Sequence, residues 1–140
     1  MTTIKTLTLV ALMTFATLMA GCAAQSAEKT TAPPPPVHSV YIWDADGHID
    51  LTLLRGLKAA AADYFRMRGV TVTDDASATG AYVKISVNDA DAEKGFVDAR
   101  LYVLSAADNS MIYDRTYRAE SGNGYPIDKF VRGALGGFFE

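Results

Sequence analysis

The chain has 140 residues, of which 49% are hydrophobic and 21% are charged. With 13 basic and 16 acidic residues and no basic run, it is a poor candidate for binding nucleic acid. A single cysteine excludes an intrachain disulfide and a metal site built on cysteines. The length fits one domain, whose stability must come from an apolar core.

The first residues match the pattern of a bacterial export signal. Lys5 precedes an apolar stretch at residues 7–19, and Ala20-Gly21 place small residues just before Cys22. About 13 apolar residues are too few to cross a ~30 Å hydrocarbon core. The stretch resembles the lipobox of bacterial lipoproteins, with Met19 as a departure from the usual leucine. We predict that residues 1–21 are cleaved and that Cys22 carries the lipid, a palmitate-type acyl anchor. Ordinary secretory cleavage after residues 22–24 and a retained membrane helix are the alternatives.

Residues 22–36 should form a tether between the lipid and the domain. They hold few large apolar side chains and end in four prolines, so they cannot bury a core and should extend as polyproline II. The proline run as a ligand for a partner is the alternative. Ala23 is not aspartate, and resemblance to enterobacterial lipoproteins implies sorting to the outer membrane, facing the periplasm. The folded domain is predicted to span residues 37–140.

The first strand and the first helix are predicted from residues 37–69. Residues 37–43 are β-branched and aromatic, which predicts a strand. Asp50 is a plausible N-cap for a helix over residues 51–67, and Gly69 suits its C-terminal end. The helix should turn a set of apolar side chains at helical spacing toward the core, namely Leu54, Leu57, Ala61, Tyr64 and Phe65.

The middle of the chain predicts two more strands and an acidic loop. Residues 70–73 form a short second strand. From Ala81 to Val87 apolar and polar residues alternate, which predicts a third strand with one buried face. Residues 88–95 then form an acidic loop.

Residues 96–105 and 111–120 are predicted to form a hairpin. A five-residue loop places Ser105 opposite Met111 and Leu104 opposite Ile112. The same register pairs Asp98 with Arg118, Ala99 with Tyr117 and Val103 with Tyr113, which keeps the two faces distinct. It also puts Arg115 opposite Leu101 on the apolar face, a conflict that the sequence does not explain.

A second helix should close the domain, with Pro126 as its first residue. Its apolar stripe comprises Ile127, Phe130, Val131, Ala134, Leu135 and Phe138. Three glycines, at 133, 136 and 137, should weaken it after Leu135. The predicted fold class is α+β, a single mixed or antiparallel sheet of about five strands packed by two helices, in the order β-α-β-β-β-β-α.

No catalytic, cofactor or metal site is predicted. Residues 44–50 resemble a calcium loop, but glycine comes fourth rather than sixth and Arg55 stands where glutamate should. A turn followed by a helix cap explains the same residues. Asp89, Asp91 and Glu93 fit a solvated loop. His38 and His48 are too few for a zinc site.

The tyrosines offer the best candidates for an interaction surface. Tyr41, Tyr64, Tyr113 and Tyr117 fall on predicted core faces, whereas Tyr82 and Tyr102 fall on outward faces. Aromatic side chains are enriched in protein interfaces. We therefore predict Tyr82 and Tyr102 as a candidate interface, although the tether or a helix could also cover them.

Two stretches carry a resemblance to known proteins. Residues 56–87 combine a helix, a Gly-hydrophobic-Thr-Val segment and an alanine-led strand, and residues 101–119 form a hairpin with the pair Ile112-Tyr113. Together they are similar to small Gram-negative envelope lipoproteins whose domain resembles the N-terminal domain of TolB, CsgG and the auxiliary lipoproteins of ABC-type transporters. The resemblance implies a non-enzymatic docking or accessory subunit of an envelope transport, secretion or assembly complex, with an envelope protein as partner. A carrier or sensor for a small apolar ligand or lipid is the alternative, and a hydrolase with a scattered site is a third.

Overall fold

The computed structural model describes residues 37–139 and confirms the predicted α+β fold. The elements are β1 (Ser39–Ile42), α1 (Leu51–Met67), β2 (Thr71–Val72), β3 (Ala81–Asp91), β4 (Phe96–Ser105), β5 (Met111–Glu120) and α2 (Ile127–Leu135). One short 3-10 turn lies between β2 and β3, at Ala76–Ala78, and another follows α2, at Gly136–Phe138. The element order is the one predicted from the sequence.

The strands form one mixed sheet in the order β2-β1-β3-β4-β5. β1 runs parallel to both of its neighbours, β2 and β3, whereas β3, β4 and β5 form an antiparallel meander. The two edges therefore differ: β2 has two residues and β5 has ten.

Helix α1 begins and ends where the sequence predicts. The Asp50 carboxylate accepts a hydrogen bond from the amide of Thr52 at 3.0 Å, and Gly69 takes the positive φ of +79° that lets the chain leave the helix. The predicted core face was partly wrong. Leu53 is buried in place of Leu54, and Tyr64 is only partly buried, because the stripe that faces the sheet is set by Leu53, Leu57, Ala61 and Phe65.

Strand β3 is longer than predicted, so the acidic loop at residues 88–95 was wrong in its bounds. The strand continues to Asp91 past an irregularity in pairing between Val87 and Asp89. The Asp91 carboxylate then accepts hydrogen bonds from the amides of Glu93 and Lys94, both at 2.9 Å, and closes the turn. A bulge interrupts the alternation of side chains without ending the strand, which is why the pattern stops before the strand does.

The hairpin register is confirmed over most of its length. Asp98 pairs with Arg118, Ala99 with Tyr117 and Val103 with Tyr113. At the turn the prediction was wrong: Leu104 pairs with Met111, not with Ile112, because the register shifts after Val103.

Arg115 lies opposite Leu101, as the predicted register requires, yet its side chain remains exposed. This is possible because β5 is the edge of the sheet, so a long side chain on its apolar side can still reach water. The guanidinium carbon lies 5.4 Å from the centre of the Tyr117 ring.

Helix α2 begins at Ile127, with Pro126 at the N-cap rather than inside the helix as predicted, and it ends at Leu135 as expected. Gly133 allows the helix to approach the sheet, since a β-carbon there would overlap the Tyr117 ring. Both helices lie on one face of the sheet, where side chains of alternate strand residues such as Val83, Ile85, Leu101 and Val103 are buried against them. No helix covers the opposite side of these strands within the described residues; we call that side the outer face.

Candidate functional site

Three aromatic side chains meet on the outer face: Tyr41 and Trp43, which precede and follow the end of β1, and Tyr82 on β3. We call them the aromatic cluster. Tyr41 pairs with Tyr82 across the parallel strands. The Trp43 ring lies edge-on to Tyr41 at a centroid distance of 5.5 Å, and 6.1 Å from Tyr82. Such distances are typical of interacting aromatic pairs.

The placement of Tyr41 corrects the sequence prediction, which put it on the core face. Val40 and Ile42 are buried instead, at 0% and 3% exposure, so Tyr41 must point the other way. Residues 40–43 are apolar or aromatic at every position, and this uniformity hides which residues face the core.

Trp43 is the residue that the sequence analysis missed. It keeps 43% of its surface exposed, and the Lys84 ammonium lies 5.8 Å from the centre of its ring. Exposure of the apolar tryptophan ring to water is unfavourable, and tryptophan is enriched in protein–protein interfaces. The sequence offered one signal, since Trp43 is the only tryptophan of the chain.

The structure places Tyr82 and Tyr102 on the outer face but in different surroundings. Tyr82 belongs to the aromatic cluster, and its hydroxyl donates a hydrogen bond to the carbonyl oxygen of Ala76 at 3.1 Å. Tyr82 thus also holds the 3-10 turn against the sheet. Tyr102 lies under Arg100, whose guanidinium carbon is 4.7 Å from the ring centre.

Beyond Tyr102 the outer face carries ion pairs. Arg100 binds Asp114 with two nitrogen atoms, each 2.8 Å from a carboxylate oxygen. These bonds lower the pKa of Asp114 below its usual range. Arg118 lies 4.0 Å from Asp98 and 2.9 Å from Glu120. The outer face therefore carries the aromatic cluster over β1 and β3, and most of its charged side chains over β4 and β5.

A second group of ionisable side chains lies at the start of α1. The Tyr125 hydroxyl donates to one oxygen of Asp50 at 3.0 Å, the Thr52 amide donates to the other, and the Asp50 amide donates to Nδ1 of His48. The Tyr125 hydrogen bond lowers the pKa of Asp50, and burial raises the pKa of Tyr125. The hydrogen bonds from Tyr125 and Thr52 tie the Asp50 carboxylate to the first turn of α1, so this group of side chains stabilises the helix start.

The predicted helix cap at Asp50 is confirmed, but the predicted turn at residues 44–47 was wrong. The chain continues beside β3, where Asp46 forms a parallel bridge with Ser86, and it bends only at Gly47 and Ile49. Lys58 binds Asp44 at 2.7 Å and lowers the pKa of that carboxyl. Over residues 37–139, no three histidine, cysteine, aspartate or glutamate side chains are grouped to hold a metal ion.

A groove of about 680 Å³ runs between α1 and α2. Its walls are polar and apolar in about equal parts: the charged residues are Asp63, Arg68, Asp128 and Arg132, and the apolar or aromatic ones are Ala60, Tyr64, Met67 and Val131. A site for an apolar ligand should be lined mainly by apolar groups. The groove does not match the carrier hypothesis.

Two further predictions concern the membrane. Cys22 and the tether at residues 22–36 lie outside the described residues. Among the helices of the described part, none has the length and hydropathy needed to cross a bilayer.

Comparison with known proteins finds likeness in structure but not in sequence. No family model matches the chain, and no curated protein matches it. Among solved structures, the fold is similar to a PelC dodecamer subunit from Paraburkholderia phytofirmans, with a TM-score of 0.60 at 10% identity over 74% of this chain and 91% of that one. It is also similar to the lipoprotein GNA1162 from Neisseria meningitidis, with a TM-score of 0.53 at 14% identity over 73% of this chain and 91% of that one.

TolB from Acinetobacter baumannii is similar too, with a TM-score of 0.52 at 9% identity over 76% of this chain. The match covers only 28% of the TolB chain. The expected likeness to a TolB domain thus holds at the level of the fold. At such low identities a shared fold does not carry function with it. The chain has the fold of these bacterial proteins.

Proposed function

We propose that the protein is a lipid-anchored periplasmic lipoprotein that acts without catalysis, as a docking or accessory subunit of an envelope transport, secretion or assembly complex. The observation that carries this proposal is the outer face, where Trp43 stays exposed beside Tyr41, Tyr82 and Lys84. A rigid sheet that presents grouped aromatic side chains is well suited to bind a protein surface.

The chemistry of the face indicates what kind of partner it fits. The aromatic cluster offers apolar area with polar tips, and Lys84 places a cation beside it. A complementary protein would bring an apolar anchor to Trp43 and a carboxylate toward Lys84. No nucleic acid or cofactor is part of the proposal.

Anchoring is proposed at Cys22, in the outer membrane. The lipobox-like residues 18–22 support it, and GNA1162, which shares the fold, is itself described as a lipoprotein. The tether of residues 22–36 would hold the domain at most roughly 45 Å from the bilayer, at ~3 Å per residue.

The anchor is tested by replacing Cys22 with serine and fractionating the cells. We expect the variant domain in the soluble periplasmic fraction, with the wild-type chain in the outer-membrane fraction. A serine variant that stays in the membrane after a carbonate wash would mean that residues 7–19 are a retained helix.

The docking role is tested by photo-crosslinking in cells from two single positions. A benzoylphenylalanine at residue 43 reports on the outer face. Benzoylphenylalanine in place of Met67, a residue of α1 that is 80% exposed, reports on the helix side. We expect a discrete crosslinked protein from position 43 and none, or a different set, from position 67. Identical products from both positions would contradict a partner that binds the outer face.

A further inference from the structure

The long edge strand β5 presents backbone hydrogen-bonding groups that the docking proposal for the aromatic cluster does not use. The other edge, β2, is limited to two residues, which protects it from pairing. β5 has ten residues, and among residues 37–139 only β4 pairs with it. A free ladder of this length is a template for another strand.

A second copy of this chain can pair with β5 in only some registers. A two-fold axis perpendicular to the sheet makes the strands antiparallel, and side chains of facing residues must lie on the same face. With the axis at Thr116, Asp114 faces Arg118 of the second copy, and Arg118 faces its Asp114. On the helix side, Arg115 faces Tyr117 of the second copy.

Other axis positions in the middle of the strand are unfavourable. An axis at residue 114, 115 or 118 would bring like charges face to face, namely two aspartates or two arginines. An axis at Tyr117 would bring Asp114 against Glu120 of the second copy. Like charges directly opposite one another destabilise a strand pair. Among axis positions from residue 114 to residue 118, the one at Thr116 brings opposite charges together.

The same register extends ion pairs that already exist. Arg118 lies beside Asp98, and Asp114 is bound by Arg100. Pairing about Thr116 therefore makes a row across both copies: Asp98, Arg118, then Asp114 and Arg100 of the second copy, with signs that alternate throughout. The side chains of Asp114 and Arg118 are still 42% and 47% exposed, so each has room for a second partner.

Arg115 would usually oppose such pairing, since a charge that points to the inner side of an edge strand discourages another strand. In this register it meets an aromatic ring of the second copy, as it already meets its own Tyr117 at 5.4 Å. We propose that the protein forms a two-fold dimer in which β5 pairs antiparallel with β5 of a second copy about Thr116. The dimer doubles the five-stranded sheet and its outer face, and it stands whether or not that face docks a partner.

The test is disulfide trapping in the full chain with Cys22→Ser, so that an introduced cysteine is the only thiol. The cysteine of Thr116→Cys would face the same cysteine of the second copy across the axis. Facing Cα atoms in an antiparallel pair lie about 4.5–5.5 Å apart, within the range that a disulfide accepts. The matched control is Thr71→Cys, an exposed threonine on the other edge strand.

We expect Thr116→Cys to give a disulfide dimer under mild oxidation, and Thr71→Cys to give about ten-fold less, because unpaired edges do not hold the Cα atoms within about 7 Å. Equal trapping at both positions would overturn the proposal. The register is tested by mixing chains with Asp114→Cys and chains with Arg118→Cys, one of them tagged. We expect the mixed dimer to exceed both self-dimers. A mixture without that excess would overturn the register even if Thr116→Cys failed to fold.

Discussion

The two faces of the sheet come from the same strands but have different compositions. Toward the helices, the strands present aliphatic side chains such as Val40, Val83, Leu101 and Val103, all fully buried. Toward the outside, the intervening residues are aromatic or charged, such as Trp43 and Arg100. Successive residues of a strand point to opposite faces, so alternate residues can serve the core and the outer surface separately. The covered face holds the fold together, and the outer face is free to carry recognition.

The largest difference should appear when one aromatic side chain is removed from the core between α1 and the covered face, and one from the outer face. Phe65→Ala removes a ring with no exposed surface and should cost about 3–5 kcal/mol of unfolding free energy, from lost contacts and an unfilled cavity. Trp43→Ala, on the outer face, should cost about 1 kcal/mol or less. Urea denaturation of both variants measures the difference. Equal losses would show that Trp43 is part of the core.

A second way to break the covered face is to separate α2 from the sheet. Gly133→Ala places a methyl group against the Tyr117 ring and should cost about 1–3 kcal/mol, despite the better helix propensity of alanine. Gly136→Ala is the matched control, because its β-carbon would meet nothing within 4 Å. Adding Tyr117→Leu should relieve the contact. If both glycine variants had the same stability, the close approach of α2 would be wrong.

The cap of α1 should give a smaller effect that depends on pH. The Tyr125 hydroxyl and the amide of Thr52 lower the pKa of Asp50 in the folded state. Its stabilisation should therefore be complete above the unfolded pKa of about 3.9 and be lost as the pH falls through the lower folded value. We expect Asp50→Ala to reduce the melting temperature by a few degrees at pH 7, and the gap to wild type to shrink below about pH 4. A difference in melting temperature that increased as the pH fell would contradict the stabilising role of the ionised Asp50 carboxylate.

The smallest effect should come from the ion pair on the outer face. The ion pair between Arg100 and Asp114 is bidentate, but both side chains are about half exposed. Exposed ion pairs contribute little to the free energy of unfolding. We expect Asp114→Asn to change the melting temperature by only a degree or two, and 1 M salt to remove most of that change through screening. A salt-independent loss would mean that the pair is shielded from solvent.

Local rules were enough to predict much of the fold. Asp50, Gly69 and the strict alternation from Ala81 to Val87 each specify a helix end or a strand within a few residues. The hairpin register followed because a one-residue shift would have mixed the faces. The bulges near Asn88 and Ile112 could not be predicted, since an extra residue in a strand leaves no compositional mark. The position of β1 between β2 and β3 depends on pairing with strands that are distant in sequence.

The candidate site was only half predictable for the same reasons. Tyr82 and Tyr102 alternate with buried aliphatic residues, and alternation marks them as outward. Tyr41 and Trp43 alternate with Val40 and Ile42 in a run that is apolar on both sides. Only the parallel pairing with β3 shows that they share a face with Tyr82.

The most direct test of the account changes the outer face and asks whether docking is lost while the fold is kept. In the double variant Trp43→Ser and Tyr102→Ser, Tyr82 is retained because its hydroxyl holds Ala76. The control is Met67→Ser, an exposed apolar residue on the helix side. We measure the melting temperature of each purified protein and the recovery of the partner after in-cell chemical crosslinking.

We expect both variants to melt within a few degrees of wild type, since surface changes typically cost ~0.5 kcal/mol or less each. Partner recovery should fall about ten-fold or more in the double variant, because interface aromatics are often anchors, and should stay unchanged in the control. Unchanged recovery in a stable double variant would contradict the claim that the outer face is the docking surface.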